Sequence, residues 1–360
     1  MGYLCGMQLK SRTAVVSAII ILLLVVSLFI FRDKVVSFIS PQGNAADTLD
    51  LVEKLTPEIA ALSEKINAEP VNAQPIFQRA DAYFAFGNMK YALLDYKKAY
   101  SLDSLKQAHA IGLADCYFEI NYPDSSLLIL EKYLQHDPNN VDVLLDAAID
   151  YYLLPSPKYN LALEHLNTIL KTDIQNSEAY FYRAMMFKEM GDTTASIRSF
   201  QTAIETDPDN YDAYMQLGML YADKRDPLAV KYFDNAIALN DSSNEAEYAK
   251  AKFMQDVGSM GDAIDYYRKL IVENPQNADA IYNLATVYFG VDSVEKAYRM
   301  FELAIKQAPA KPEAYFGKGL CAEDLGKTEE AISFYEQALN LNPNYTDAEI
   351  QLKKLKEKQQ

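Results

Sequence analysis

The chain has no tryptophan, only three cysteines and three histidines, and few of the usual breakers, with 13 glycines and 14 prolines in 360 residues. Cys5, Cys116 and Cys321 lie far apart, which excludes a C-x-x-C motif, a cysteine zinc cluster and a disulfide framework. His109, His136 and His165 have no second histidine and no cysteine within one helical turn, so metal or Cys/His chemistry has little to be built from. No glycine-rich phosphate loop, nucleophile elbow or H-E-x-x-H motif occurs. Positive charge is also scarce: 34 Lys and Arg face 50 Asp and Glu, a net charge of −16. Residues 1–46 hold Lys10, Arg12, Arg32 and Lys34 against Asp33, a local +3 that leaves −19 on the rest. So acidic a body repels a phosphate backbone, and nucleic acid is not an expected partner. The composition calls for no cofactor, no metal and no catalytic residues, and no enzyme activity is expected.

What is present begins with one long apolar run. Ala14 to Phe31 is free of charge, and its eighteen residues would span about 27 Å as a helix against a hydrocarbon core of about 30 Å. It reads as a transmembrane helix and a single-pass amino-terminal anchor. A cleaved signal peptide usually has an apolar region of about 7–15 residues ending near a small-residue site, whereas Arg32-Asp33-Lys34 follows here. Lys10 and Arg12 are balanced by Arg32 and Lys34, so the positive-inside count is a tie. The positive amino terminus tips the expected topology toward a body outside the cytoplasm. Residues 1–13 form a flank and residues 32–46 a short linker.

The body repeats itself. From Ala73 eight units follow in register, 73–106, 107–140, 141–176, 177–210, 211–243, 244–277, 278–311 and 312–345, six of them 34 residues long. The eighth position is always small: Ala80, Ala114, Ala148, Ala184, Gly218, Ala251, Ala285 and Gly319. Two helices approach closely only where no bulky side chain intervenes. A second small residue recurs about twelve positions on, from Ala92 to Ala331, and four residues later stand Tyr96, Leu130, Leu166, Phe200, Phe233, Tyr267, Phe301 and Tyr335. That spacing puts the small and the large residue on one helical face. Gly87-Asn88, Gly191-Asp192 and Gly326-Lys327 mark turns inside units, and Pro138, Pro208, Pro275, Pro309 and Pro343 close them. Each unit is therefore expected to be a helical hairpin. Residues 47–72 supply a capping helix or helices, with Ile59, Leu62 and Ile66 on one face, and residues 346–360 a closing helix.

These residues resemble the tetratricopeptide repeat, whose first helix carries a Leu-Gly-x-x-Tyr-like run and whose second carries Ala-x-x-x-Phe before a terminal Pro. Tyr214, Leu217, Gly218, Tyr221, Ala229 and Phe233 show the pattern. The resemblance implies an all-α fold, an α-solenoid in which eight hairpins form a right-handed superhelix with first helices lining a concave groove. At the fifth position of each unit stand Phe77, Ile111, Leu145, Phe181, Met215, Tyr248, Tyr282 and Phe316. Phe84, Phe118, Tyr152 and Phe289 extend the same face. These twelve are the candidate protein-binding residues, suited to an extended apolar peptide segment or an amphipathic helix, and equally suited to plain packing between repeats. Asp142, Glu178, Asp212, Glu245, Asp279 and Glu313 recur at the second position, where the amino-terminal helix dipole favours a carboxylate. The Lys and Asn clamp of chaperone-tail binders is absent: its places in the first two units hold Phe77, Asp81, Ile111 and Asp115. The expected function is a membrane-anchored scaffold for partner proteins in a bacterial envelope complex. A self-associating homo-oligomer and a tethered regulator of a membrane-associated enzyme are the alternatives.

Overall fold

A computed structural model describes residues 57–240 and 244–358. Among these residues every regular element is a helix, eighteen in all, each 12–14 residues long. The described residues divide into two compact units, the first ending at Ile174 and the second beginning at Gln175. In the first, α1 (Pro57–Ala68) precedes three hairpins: α2 (Ala73–Ala85) with α3 (Met89–Leu102), α4 (Gln107–Glu119) with α5 (Pro123–Leu134), and α6 (Val141–Leu153) with α7 (Tyr159–Thr172). In the second, five hairpins follow: α8 (Ser177–Glu189) with α9 (Thr193–Thr206), α10 (Tyr211–Asp223) with α11 (Leu228–Leu239), α12 (Asn244–Asp256) with α13 (Met260–Glu273), α14 (Ala278–Gly290) with α15 (Val294–Gln307), and α16 (Pro312–Asp324) with α17 (Thr328–Leu341). Helix α18 (Thr346–Lys358) closes that unit on α17.

The boundaries follow from local chemistry. Five of the first helices start after an asparagine whose side chain accepts a backbone N–H of the opening turn: Asn72, Asn140, Asn176, Asn210 and Asn277. This satisfies donors that a helix start otherwise leaves unpaired. Inside the hairpins the chain reverses through one left-handed residue, glycine in four cases and Asn121, Arg225 or Asp292 in three. The third hairpin turns instead through the longer Leu154-Pro155-Ser156-Pro157 stretch.

Helix pairs close on the small residues. Ala80, Ala92, Ala162, Ala229, Ala263, Ala297 and Ala331 are wholly buried, and the large residues opposite, Tyr96, Leu166, Phe233, Tyr267, Phe301 and Tyr335, are buried with them. Each such ring or branched chain removed from water contributes about 2 kcal/mol. In α1, Ile59, Leu62 and Ile66 turn inward, and Arg79 of α2 ties that helix to the first hairpin. Its Nε and Nη2 donate to Asp95 at 2.7 and 3.0 Å, and its Nη1 donates to Ser63 at 2.9 Å. Within each unit successive first helices touch, α2 with α4 with α6, and α10 with α12 with α14 with α16, while second helices are not brought into comparable contact. One side of the stack is therefore closed up and the other is spread.

One expectation is corrected. Among the described residues no helix is long and apolar enough to cross a membrane. At 14 residues the longest reach only about 21 Å, short of the roughly 30 Å hydrocarbon core. The run from Ala14 to Phe31 and the linker 32–46 lie outside the described residues, so the single-pass localisation and the extracytoplasmic body lose their support.

Cys116 and Cys321, the tenth residues of their hairpins, are fully buried, and burial first of all pushes their thiols up to about 11 and about 12. Both behave as small apolar fillers. In a Cys5→Ser background at pH 8 neither is expected to react with an aromatic disulfide reagent until urea unfolds the chain. Stoichiometric labelling of the folded chain within minutes would contradict this burial.

Candidate functional site

The twelve candidate residues fall into two groups. Phe181, Met215 and Tyr152 are buried, whereas Phe77, Phe84, Ile111, Phe118, Leu145, Tyr248, Tyr282, Phe289 and Phe316 keep part of their surface open. The fifth-position aromatics share one arrangement. Each leans on the large residue of its own second helix: Phe77 on Tyr96 at 5.6 Å between ring centres, Phe181 on Phe200 at 5.5 Å, Tyr248 on Tyr267 at 6.1 Å, Tyr282 on Phe301 at 5.8 Å and Phe316 on Tyr335 at 5.6 Å. Tilted and edge-on pairs at these distances are favourable beyond their buried area. These rings thus brace their hairpins, and all but the buried Phe181 keep part of their surface open. Tyr248 is fixed further, its hydroxyl accepting from Asn283 Nδ2 at 2.7 Å.

The first unit adds charge to that face. Asp81 and Asp115 occupy the ninth position of consecutive hairpins, and both side chains reach solvent with protein crowding them on several sides. Burial of their surroundings is the main cause that raises Asp81 to about 6, against a hydrogen bond from the Tyr96 hydroxyl at 2.7 Å that lowers it. Asp115 is raised to about 7, first by burial and then by Asp150, Asp81 and Glu119. Asp150 is itself buried, accepts from the Ser126 hydroxyl, and is raised to about 7 by burial with Asp146 adding to it. Carboxylates that resist ionisation chiefly because protein displaces their water, and at Asp115 also because Asp150, Asp81 and Glu119 stand near, gain from a cation placed beside them. On the same helices stand Phe77, Phe84 and Phe118, partly open, and beside Asp81 lies Tyr96, whose hydroxyl burial first of all, and then Asp81, keeps protonated.

The sequence reading missed this pair. It placed Asp81 and Asp115 only as departures from a carboxylate clamp. A usable signal existed in Asp150, which fills a tenth position that elsewhere holds Ala82, Cys116, Met186, Leu220, Phe253, Val287 or Cys321. Among the described residues no group of three or more His, Cys, Asp or Glu is placed to hold a metal ion.

Antiparallel hairpins that pack chiefly on their neighbours in sequence define a helical-repeat scaffold. Three family models, each described as tetratricopeptide repeat, match residues 184–244, 255–323 and 312–345. The chain is a tetratricopeptide-repeat protein, and its coarse function is that of a protein-interaction scaffold of a generally non-catalytic kind. Its fold is similar to that of the C-terminal part of a tetratricopeptide-repeat-containing protein from Cytophaga hutchinsonii, 20% identical, with a TM-score of 0.57 over 65% of this chain and 96% of that one. A tetratricopeptide-repeat protein from Parabacteroides merdae is 19% identical over 70% of this chain and 98% of its own, TM-score 0.49. The MamA protein is 27% identical over 48% of this chain and 94% of its own, TM-score 0.43. No curated protein matches the chain.

Proposed function

We propose that the first-helix face of residues 73–174 binds a basic segment of a partner protein, with aromatic residues of the chain gripping its apolar parts. The observation that carries this reading is the pair Asp81 and Asp115, open to solvent, stacked in consecutive hairpins and both resisting ionisation. A lysine or arginine side chain between them relieves that strain, and the neighbouring Phe77, Phe84 and Phe118 supply stacking surface for its stem or guanidinium. Acidic residues in the first turns, such as Asp142, extend the favourable field. The envelope setting depended on the anchor and is set aside with it. Self-association is the competing reading, since a concave face can be filled by a second copy.

The test uses the full chain and a fluorescein-labelled peptide rich in Lys, Arg and Phe, followed by anisotropy. An Asp81→Asn/Asp115→Asn variant is expected to weaken binding about tenfold, roughly 1.4 kcal/mol, and to flatten its salt dependence. Unchanged affinity in a variant that keeps its helical circular dichroism sinks the reading. Light scattering that shows concentration-dependent growth without any peptide favours the self-filled alternative.

A further inference from the structure

The spread side of the second unit carries a separate feature. Because α12, α14 and α16 close up on the first-helix side, α13 and α15 stand apart, and a cleft of about 360 Å3 opens between them over α14. Leu284 of α14, Ile271 and Val272 of α13, and Met300 and Leu303 of α15 give it an apolar lining. Val272 is 80% exposed. The other hairpins of 34 residues hold Ser101, Gln135, Glu205, Lys306 and Asn340 at its position, so a solvent-facing valine there is particular to this hairpin.

The rim is cationic. Arg268 of α13 and Lys296 and Arg299 of α15 border the cleft, and no carboxylate lines it. Lys296 lies over the Tyr288 ring at 5.5 Å. The nearby Lys269 and Lys318 are each paired with a glutamate, Glu247 and Glu302, while neither arginine has such a partner among the described residues. Three cations around an apolar lining, in a chain whose net charge is −16, are complementary to an anion carrying an apolar group. Seating that group also displaces water from the guanidinium groups, which strengthens a bidentate carboxylate contact.

We propose that the cleft between α13 and α15 docks an acidic amphipathic segment of a partner protein, one large apolar side chain resting on Leu284, Met300 and Leu303 and its flanking carboxylates meeting Arg268 and Arg299. This site differs from the first-helix face in the helices that form it and in the sign of charge it selects.

The probe is a fluorescein-labelled helix of Leu, Glu and Ala, about 18 residues long with leucines on one face, titrated with the full chain. It is expected to bind in the micromolar range, and Arg268→Glu/Arg299→Glu is expected to weaken it by about 30-fold. Val272→Asp should weaken it as well, and none of the three changes touches the core, so helical circular dichroism is retained. Binding of the basic peptide at Asp81 and Asp115 should be unaltered in these variants. The proposal is overturned if the charge-reversed variant binds the acidic helix within about twofold of the parent, or if the loss tracks Asp81→Asn/Asp115→Asn instead. It is also overturned if decanoate binds and the helix does not, which would assign a small anionic amphiphile. Concentration-dependent self-association abolished by the double reversal would assign the cleft to a second copy of this acidic chain.

Discussion

Gly218→Val is expected to destabilise the α10–α11 hairpin by about 4 kcal/mol, combining severe overpacking with a partial return from helix propensity. A Cβ added at Gly218 would lie 2.5 Å from Phe233 Cε1 and 2.6 Å from its Cδ1. The ring cannot step aside, because it is 1% exposed and enclosed with Met215, Ala229, Ala236, Ala246 and Phe253. Gly218→Ala should cost less, about 1–2 kcal/mol, since one methyl clashes and the gain in helix propensity of about 1 kcal/mol offsets part of it. The check is amide hydrogen exchange over residues 211–239, with residues 312–341 as internal reference, since stability in a repeat array is largely local. Phe233→Leu in the valine background should recover much of the loss, giving a coupling energy of at least about 1 kcal/mol in a double-mutant cycle. Unchanged protection at 211–239 in Gly218→Val would contradict the ring-on-glycine contact.

Asp150→Asn is expected to stabilise the first unit at neutral pH and to leave it unchanged in acid. The folded chain keeps a proton on Asp150 up to about pH 7, while an unfolded aspartate releases it near 3.8. The unfolded state therefore binds fewer protons between those limits, and stability falls as pH rises from about 4 to about 7. Asparagine is neutral throughout and keeps an oxygen to accept from the Ser126 hydroxyl, so it removes that decline. At about 1.36 kcal/mol per pH unit the shift corresponds to at most about 4 kcal/mol, and we expect about half of it because the surroundings relax. The difference between variant and parent, read by hydrogen exchange over residues 141–172, should be near zero at pH 4 and reach about 2 kcal/mol at pH 8. Taking the difference between variant and parent cancels whatever the other ionisable groups contribute. A difference that is flat with pH would contradict a buried, proton-retaining Asp150.

Much of the architecture was legible because close helix packing tolerates so little. Alanine or glycine at the eighth position and a ring or leucine at the seam recur because little else fits there, and a period of about 34 residues can be read without any long-range information. Other features depend on what neighbours do. The lean of Phe77 on Tyr96 or of Tyr282 on Phe301 is set by rotamers and helix angle, so the sequence showed a stripe of aromatics without showing which part of each ring was already engaged. Phe181 and Met215 looked equivalent to Phe77 and proved to be covered. The asparagine caps at Asn140, Asn176, Asn210 and Asn277 emerged only with the helix starts. Crowding at Asp115 was hinted at only by the out-of-place Asp150, since it arises from side chains more than thirty residues apart brought near one another by stacking. The apolar run from Ala14 to Phe31 spoke only through its hydropathy, and lies outside the described residues.

The unequal closeness of the two sides gives the second unit a directional elasticity. Where α10, α12, α14 and α16 touch, they act as a spine that resists compression and stretch, and the separated second helices behave as the leaves of a fan. Bending that widens the gap between α13 and α15 moves apart two helices that meet chiefly through α14. A segment docked beside Met300 and Leu303, as proposed, would then act as a wedge that fixes how far α13 and α15 stand apart.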